Sequence, residues 1–223
     1  MAGTGFDWLF LDTEHGAFGV SDVVNALRAV APIPCLVRTP PDDGAAIGRA
    51  LDAGAHGIIV PQVHSAVQAA YVARLARYAP AGRRGRGATR SNGYGHYGAP
   101  GGDAEDTTVV VVQAESAEAI ADIDAIARVP EVDVVLVGPN DLASSLGYPG
   151  QLGHPSVQDA IARVIDTCHA AGRVAGIFGL DAAAVRPWVT RGASLVVAGV
   201  DALLLANAAR DLSISLDGFR EHP

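Results

Sequence analysis

The sequence predicts an α/β fold with a parallel sheet, on three observations. Short apolar runs alternate with stretches of helical spacing along the whole chain, which is the pattern of repeated strand–helix units. The junctions leading from helix to strand resemble one another: AGTGFDW, AGAHGII, AAGRVAG and RGASLVV. In each, a glycine suits the left-handed end of a helix, and the next strand follows within a few residues. Polar and charged residues gather at the C-terminal ends of the expected strands.

The elements follow in order. Residues 7–12 (DWLFLD) read as a strand, and residues 20–30 as an amphipathic helix with Ser21 as N-cap and Pro32 just beyond its end. Residues 34–38 (PCLVR) are a strand ending in arginine, and residues 43–53 a helix closed by Gly54. Residues 57–62 (GIIVPQ) are a strand, followed by a helix at 65–78 that Ser65 can cap. Residues 79–106 are long, glycine-rich and irregular. The central unit is 109–150: the runs VVVVQ and VVLVG read as strands buried on both faces, and 117–127 between them has helical spacing. A right-handed crossover makes such strands parallel neighbours. A helix at 155–171, strands at 174–178 and 194–198, and helices at 182–191 and 202–212 complete the alternation.

Seven strands result. A closed (β/α)8 TIM barrel wants eight strands and about 250 residues. MAGTG reads as the tail of a helix with its terminal glycine, so one strand and one helix are expected upstream. The expectation is a single TIM-barrel domain over residues 1–223, short at its N-terminus by the first strand and helix.

Composition narrows the functional classes. Hydrophobic residues make up 49% of the 223, enough for a full core in one domain or two small ones. A net charge of −8 disfavours nucleic acid and acidic membrane surfaces as partners. Cys35 and Cys168 have no metal or redox spacing and suit buried thiols in a reducing compartment. No apolar run reaches membrane-spanning length, and MAGTGFDW has neither the basic nor the apolar region of a signal peptide, so a cytoplasmic protein is expected. All 16 basic residues are arginine. Schiff-base catalysis through a lysine amine and a Walker-type phosphate loop are therefore excluded. A carbanion or enolate formed here needs a metal, an arginine or a cofactor.

The strand ends carry the chemistry. Glu115 follows one central strand and Asp141 the other, and two carboxylates at the same end of neighbouring parallel strands can seat a divalent cation; equally, both can be helix-capping acids. Gly138, Pro139 and Asn140 lie just before the second carboxylate, where open backbone can approach an anion. The first strand leads into Asp12-Thr13-Glu14-His15, and His15 with Asp12 suggests a base and its orienting acid. Arg38 ends a short buried strand and needs an anionic partner, either a substrate or a structural carboxylate such as Glu115 or Asp12. Gln62 and Gln113 stand at the ends of two further strands.

With these residues in place, the chain resembles the HpcH/HpaI family, the class II pyruvate aldolases that handle 4-hydroxy-2-oxo acids. The matching stretches are AGTGFDWLFLDTEHG, LVR, IIVPQV, ARYAPAGRRGRG, VVVVQAES, VVLVGPNDLASSLGYPG with HP following, and VVAGVDALLL. They run nearly the whole length in the family's order. The resemblance implies a (β/α)8 barrel assembled as a homo-oligomer, usually a hexamer with the last helix swapped between neighbours. It implies that Glu115 and Asp141 ligate Mg²⁺, Mn²⁺ or Co²⁺, and that His15 with Asp12 manages protons through water. It also implies that Arg38 faces the pyruvate carbonyl oxygen, that Gln113 helps position substrate, and that the backbone of Gly138, Pro139 and Asn140 receives the pyruvate carboxylate. The implied reaction is reversible cleavage of a 4-hydroxy-2-oxo acid to pyruvate and an aldehyde through an enolate stabilised by the cation and Arg38.

This sequence departs from the family pattern at Arg83 and Arg86, which stand where apolar residues are usual and form a basic cluster with Arg84 and Arg90. That cluster suits an acidic substrate tail, a neighbouring subunit, or simply water. The glycine-rich loop at 91–106 is expected to be mobile or to fold over the site. Phe178, at a strand end, is a candidate wall of the aldehyde pocket. The alternatives are an acyl-CoA lyase of the citrate lyase beta or malyl-CoA lyase type, and an inactive truncated barrel with an open sheet edge.

Overall fold

The computed structural model describes residues 1, 3–41, 43–96 and 107–217. Seven parallel strands lie side by side in sequence order: β1 (Leu9–Asp12), β2 (Cys35–Arg38), β3 (Gly57–Val60), β4 (Val109–Ala114), β5 (Val134–Val137), β6 (Val174–Gly179) and β7 (Leu195–Ala198). With helices between them they form a nearly closed (β/α) barrel of the TIM type, one strand fewer than eight. Among the described residues no ladder joins β1 to β7. The register matters for the chemistry: Asp12 lies beside Arg38 across β1 and β2, and Gln113 on β4 lies beside Leu136 on β5.

The strand interiors alternate between two hydrophobic layers. Leu36, Ile59, Val111, Val134, Leu136 and Val197 point into the barrel and pack with Phe10 and Phe178. Their neighbours Val37, Ile58, Val60, Val110, Val112 and Val135 point outward and pack under the helices. Period-two alternation between two apolar surroundings is why these strands read as unbroken runs of Val, Ile and Leu. Phe178 therefore belongs to the barrel filling.

The helices are α1 (Val20–Val30), α2 (Gly44–Asp52), α3 (Ala66–Ala76), α4 (Ala117–Ala121), α5 (Ile123–Ile126), α6 (Pro139–Ser145), α7 (Pro155–Ala170), α8 (Ala182–Arg191) and α9 (Asp201–Asp217). Several start on side-chain caps: Asp43 accepts from the Ala46 N–H at 2.8 Å, Ser65 from Gln68 at 3.3 Å and Asp181 from Ala184 at 2.8 Å. The glycines expected at helix ends, Gly54, Gly172 and Gly192, have φ of 97°, 66° and 119°, left-handed values that suit a residue without Cβ.

Four details correct the sequence reading. The N-cap of α1 is Gly19, whose N–H donates to the Asp22 carboxylate at 2.8 Å, so Ser21 lies inside the helix. The helix expected over 117–127 breaks in two at Asp122, whose carboxylate accepts from the Ala66 N–H at 2.7 Å and so ties the start of α3. Pairing of β3 stops at Val60, because Pro61 has no N–H to donate and Gln62 turns left-handed at φ 54°. Helix α6 carries Pro139 in its first turn, where a missing N–H costs nothing, and it begins inside the Gly138–Asn140 stretch expected as open backbone.

The basic cluster divides among separate partners. Arg83 lies over Tyr71 at 4.8 Å. Arg84 pairs with Asp52 at 3.1 Å and lies over Tyr78 at 4.6 Å. Arg86 covers Tyr78 at 5.5 Å, and Arg90 donates to the Ala53 carbonyl at 3.0 Å. Arg90–Gly95 form short 3-10 turns broken by a kink at Asn92, Gly93 and Tyr94, and the rest of the expected loop, residues 97–106, lies outside the described residues. Cys35 and Cys168 are both buried, and burial pushes their thiols up to about 11 and about 12. No helix among the described residues is long and apolar enough to cross a membrane.

Candidate active site

Parallel strands bring their C-terminal ends to one face, and the polar residues collect there. Asp12 ends β1 and Arg38 ends β2, so their register makes them neighbours. The guanidinium grips the carboxylate at two points, Nε to Oδ1 at 2.9 Å and Nη2 to Oδ2 at 2.7 Å, the planar two-bond match that arginine makes with carboxylates. Arg38 Nη1 reaches Glu14 Oε2 at 3.2 Å and Gln113 Oε1 at 3.4 Å. The Phe10 ring lies under the guanidinium at 5.3 Å. Only 13% of the Arg38 side chain is exposed. Burial works against the charge of both partners, and the pair outweighs it: the Asp12 carboxyl stays below its ordinary value and the Arg38 guanidinium above its own.

Glu115 sits just past β4 and is 5% exposed. Each of its oxygens accepts one hydrogen bond, Oε1 from the Gln62 backbone N–H at 2.7 Å and Oε2 from the Gln113 carboxamide at 2.7 Å. Burial raises the Glu115 carboxyl to about 7; the Gln62 N–H and Arg38 pull it down, and Asp141 and Glu14 push it further up. Gly138 packs against this carboxylate: a Cβ added there would lie 2.5 Å from Glu115 Oε2. Any side chain at position 138 would thus fill the space beside the acid. Asp141 stands in the first turn of α6, two residues past Pro139.

The expected residues therefore converge in part. Arg38, Gln113 and Glu115 form one connected hydrogen-bonded chain with Asp12. Asp141 is coupled to Glu115 electrostatically. His15 stands apart: its imidazole is 70% exposed, and its nearest carboxylate is Glu14, at 3.8 Å from Nε2. Asp12 meets His15 through the backbone, accepting from the N–H groups of Glu14 at 3.0 Å and His15 at 3.3 Å. It orders the loop rather than the imidazole. Two residues emerge that the sequence reading left without a role, Glu14 and Gln62. The Glu14 side chain is only 8% exposed and joins Arg38, His15 and Gln62, whose carboxamide donates to its Oε1 at 3.3 Å. Its place between Asp12 and His15 in DTEH was the available signal.

The donor set fits a hard divalent cation. Glu115 is a buried acid whose charge is opposed by Asp141 and Glu14, and a cation between Glu115 and Asp141 would turn that repulsion into attraction. Among the described residues no three His, Cys, Asp or Glu side chains gather as a cation cage. Two protein carboxylates with the other positions left to water and substrate is a usual arrangement for Mg²⁺.

Known proteins agree in sequence and shape. A profile described as HpcH/HpaI aldolase/citrate lyase matches residues 1–208. The 4-hydroxy-2-oxovalerate aldolase of Rhodococcus jostii RHA1 is 39% identical over 215 residues, covering 95% of this chain and 83% of that protein. A hydroxypyruvate/pyruvate aldolase of Pseudomonas aeruginosa is 40% identical over 219 residues, covering 95% and 81%. The crystal structure of a Burkholderia cenocepacia J2315 protein, described by the same two enzyme names as the profile, superimposes with a TM-score of 0.90 at 36% identity, covering 97% of this chain and 88% of that one.

Proposed function

The chain belongs to the HpcH/HpaI aldolase/citrate lyase family, and from that footing we propose that it is a class II aldolase. On this reading it is a divalent-metal-dependent lyase that reversibly cleaves a 4-hydroxy-2-oxo acid to pyruvate and an aldehyde. The observation that carries the reading is the linkage of Arg38, Gln113 and Glu115 at adjoining strand ends, with Asp141 beside them. It provides one fixed positive charge and one buried acid bridged by a single carboxamide, with no lysine anywhere in the chain.

Each residue then has a task. Arg38, held by Asp12 and Glu14, presents its charge where the C2 oxygen of the substrate gains electron density as the C3–C4 bond breaks. Gln113 spans Arg38 and Glu115 and keeps the two at a set spacing. The backbone N–H groups of Gly138 and Asn140, on either side of Pro139 at the start of α6, take the substrate carboxylate. His15, exposed at the mouth beside Glu14, carries the proton from the C4 hydroxyl and returns one to C3. A divalent cation held by Glu115 and Asp141 would supply Lewis acidity toward the 2-oxo acid.

The exposed apolar side chains of α9 support an assembly. Leu205 and Ile214 on this helix are 72% and 62% exposed, and Leu203, Leu204, Leu212 and Leu216 are exposed as well. Six large apolar side chains on one uncovered helix favour burial against another copy. We assign α9 to a swapped contact in a homo-oligomer, a hexamer as the family resemblance implies.

The deciding experiment is pyruvate release from a panel of 4-hydroxy-2-oxo acids, with acyl-CoA thioesters as a separate arm. Protein stripped with chelator should be inactive, and Mg²⁺, Mn²⁺ or Co²⁺ should restore cleavage. Full activity of the stripped protein, or turnover of thioesters alone, would overturn the proposal.

A further inference from the structure

Gln62 makes two of the bonds that hold the candidate site together, and it does so from an unusual backbone conformation. Its φ is 54°, in the left-handed region; among the described residues other than glycine only Tyr94 shares a positive φ. For an ordinary side chain this conformation is strained and persists where the surroundings demand it. Here they do. The turn after Pro61 swings the Gln62 N–H out of the line of β3 and across to Glu115 Oε1, 2.7 Å away. The Gln113 carboxamide takes the other oxygen, so the plane of the Glu115 carboxylate is fixed at both ends. The Gln62 side chain reaches a second acid. Its Nε2 donates to Glu14 Oε1 at 3.3 Å, which leaves Glu14 Oε2 for Arg38 at 3.2 Å. The Gln62 carbonyl is itself pinned by Gln68 Nε2 at 3.1 Å.

We infer that Gln62 is a positioning residue that uses its left-handed backbone to orient Glu115 and its side chain to orient Glu14 against Arg38. One residue thereby couples the ends of β1, β2 and β4. The inference rests on the reading of Glu115 as a cation ligand, and its test separates the two.

Three variants divide backbone from side chain. Gln62→Gly and Gln62→Asn accept a positive φ readily, whereas Gln62→Val resists it. Mn²⁺ affinity is measured without substrate by calorimetry, alongside kcat and KM. The Gly and Asn variants should hold the Mn²⁺ Kd within about threefold of wild type, and Val should weaken it about tenfold or more, as losing a partner of a ligand typically does. The Gly variant, with Glu14 released, should lose kcat several-fold while keeping its Mn²⁺ affinity. A Val variant that binds Mn²⁺ like wild type overturns the inference. So does a Gly variant as weak as Val, since the backbone would then not be the cause. A wild type that binds no Mn²⁺ defeats the cation reading alone, and melting in EDTA then decides the role of Gln62. Val should melt several degrees below Gly, and at least half of that deficit should vanish in a Glu115→Ala background. An undiminished deficit refutes the contact with Glu115.

Discussion

Glu115 should make the cation-free protein less stable than it need be, and Glu115→Gln should show it. Burial raises this carboxyl to about 7 from an ordinary value of 4.5. Between those two values the folded chain holds a proton that the unfolded chain has already released. Stability therefore falls as pH rises through this window and levels off above pH 7. At about 1.4 kcal/mol per pH unit, the full window costs about 3 kcal/mol. Glutamine removes the charge and keeps a carbonyl for the Gln62 N–H, but it presents an amide to the Gln113 carboxamide that now donates to Oε2. That lost hydrogen bond costs about 1 kcal/mol. The net gain is about 2 kcal/mol at pH 8, which for a chain of this length raises Tm by about 4–8 °C. At pH 5 the window has barely opened and contributes no more than about 1 kcal/mol, which the lost hydrogen bond offsets, so the two proteins should melt together. The assay is calorimetric or fluorescence melting in EDTA at pH 5 and pH 8, at one protein concentration. Added Mn²⁺ should then raise the Tm of wild type and leave the variant unmoved. Equal melting temperatures at pH 8, or a variant that melts lower there, would refute the argument: Arg38 and Gln62 would be compensating the charge in full.

Further outcomes can be checked on the same material. Arg38→Ala should lower kcat by about 10²–10³-fold while moving the Mn²⁺ Kd little, because the guanidinium acts on charge that develops during reaction; an unchanged kcat would assign Arg38 to structure alone. His15→Ala should slow turnover by about 10²–10⁴-fold, and Glu14→Gln should shift the pH dependence of kcat more than Asp12→Asn does, since Glu14 is the carboxylate near the imidazole. A Leu205→Glu/Ile214→Glu double variant should yield a smaller particle by light scattering. Retention of the wild-type mass would show that these side chains, both exposed within one copy, are not the contact.

Much of the fold was legible because buried parallel strands have a plain signature. Runs such as VVVVQ and VVLV, with 110–112 and 135–137 almost wholly buried, stand out as unbroken apolar stretches, and glycines with left-handed φ close the helices before β3, β6 and β7. Parallel order then carried the polar residues to one face, so Asp12, Arg38, Gln113 and Glu115 were found together from sequence. What escaped depends on contacts between distant segments. The break at Asp122 exists because its carboxylate serves the start of α3, 56 residues away in sequence. The pairing of His15 with Glu14 rather than with Asp12 follows from the demand of Arg38 for the Asp12 carboxylate, which the order of residues in DTEH does not reveal. Likewise, the role of Gln62 lies in a single positive φ, and a Pro-Gln pair carries no mark of it.

The two thiols offer a different kind of instrument. Burial pushes the thiols of Cys35 and Cys168 up to about 11 and about 12, so at neutral pH almost none of either is thiolate, and both are buried in the native fold. A thiol-specific reagent can therefore react only during excursions that expose them. Both belong to the layer beneath the helices, but Cys35 lies on β2, paired with the outermost strand β1, while Cys168 lies on α7, which packs on β5 and β6. Alkylation rates at the two positions become separate clocks, one for opening at the margin of the sheet and one for loss of the outer core. No lysine amine competes for the label. If Cys35 is consumed far faster than Cys168, the strand that carries Asp12 comes away while the rest of the sheet and its helices stay packed.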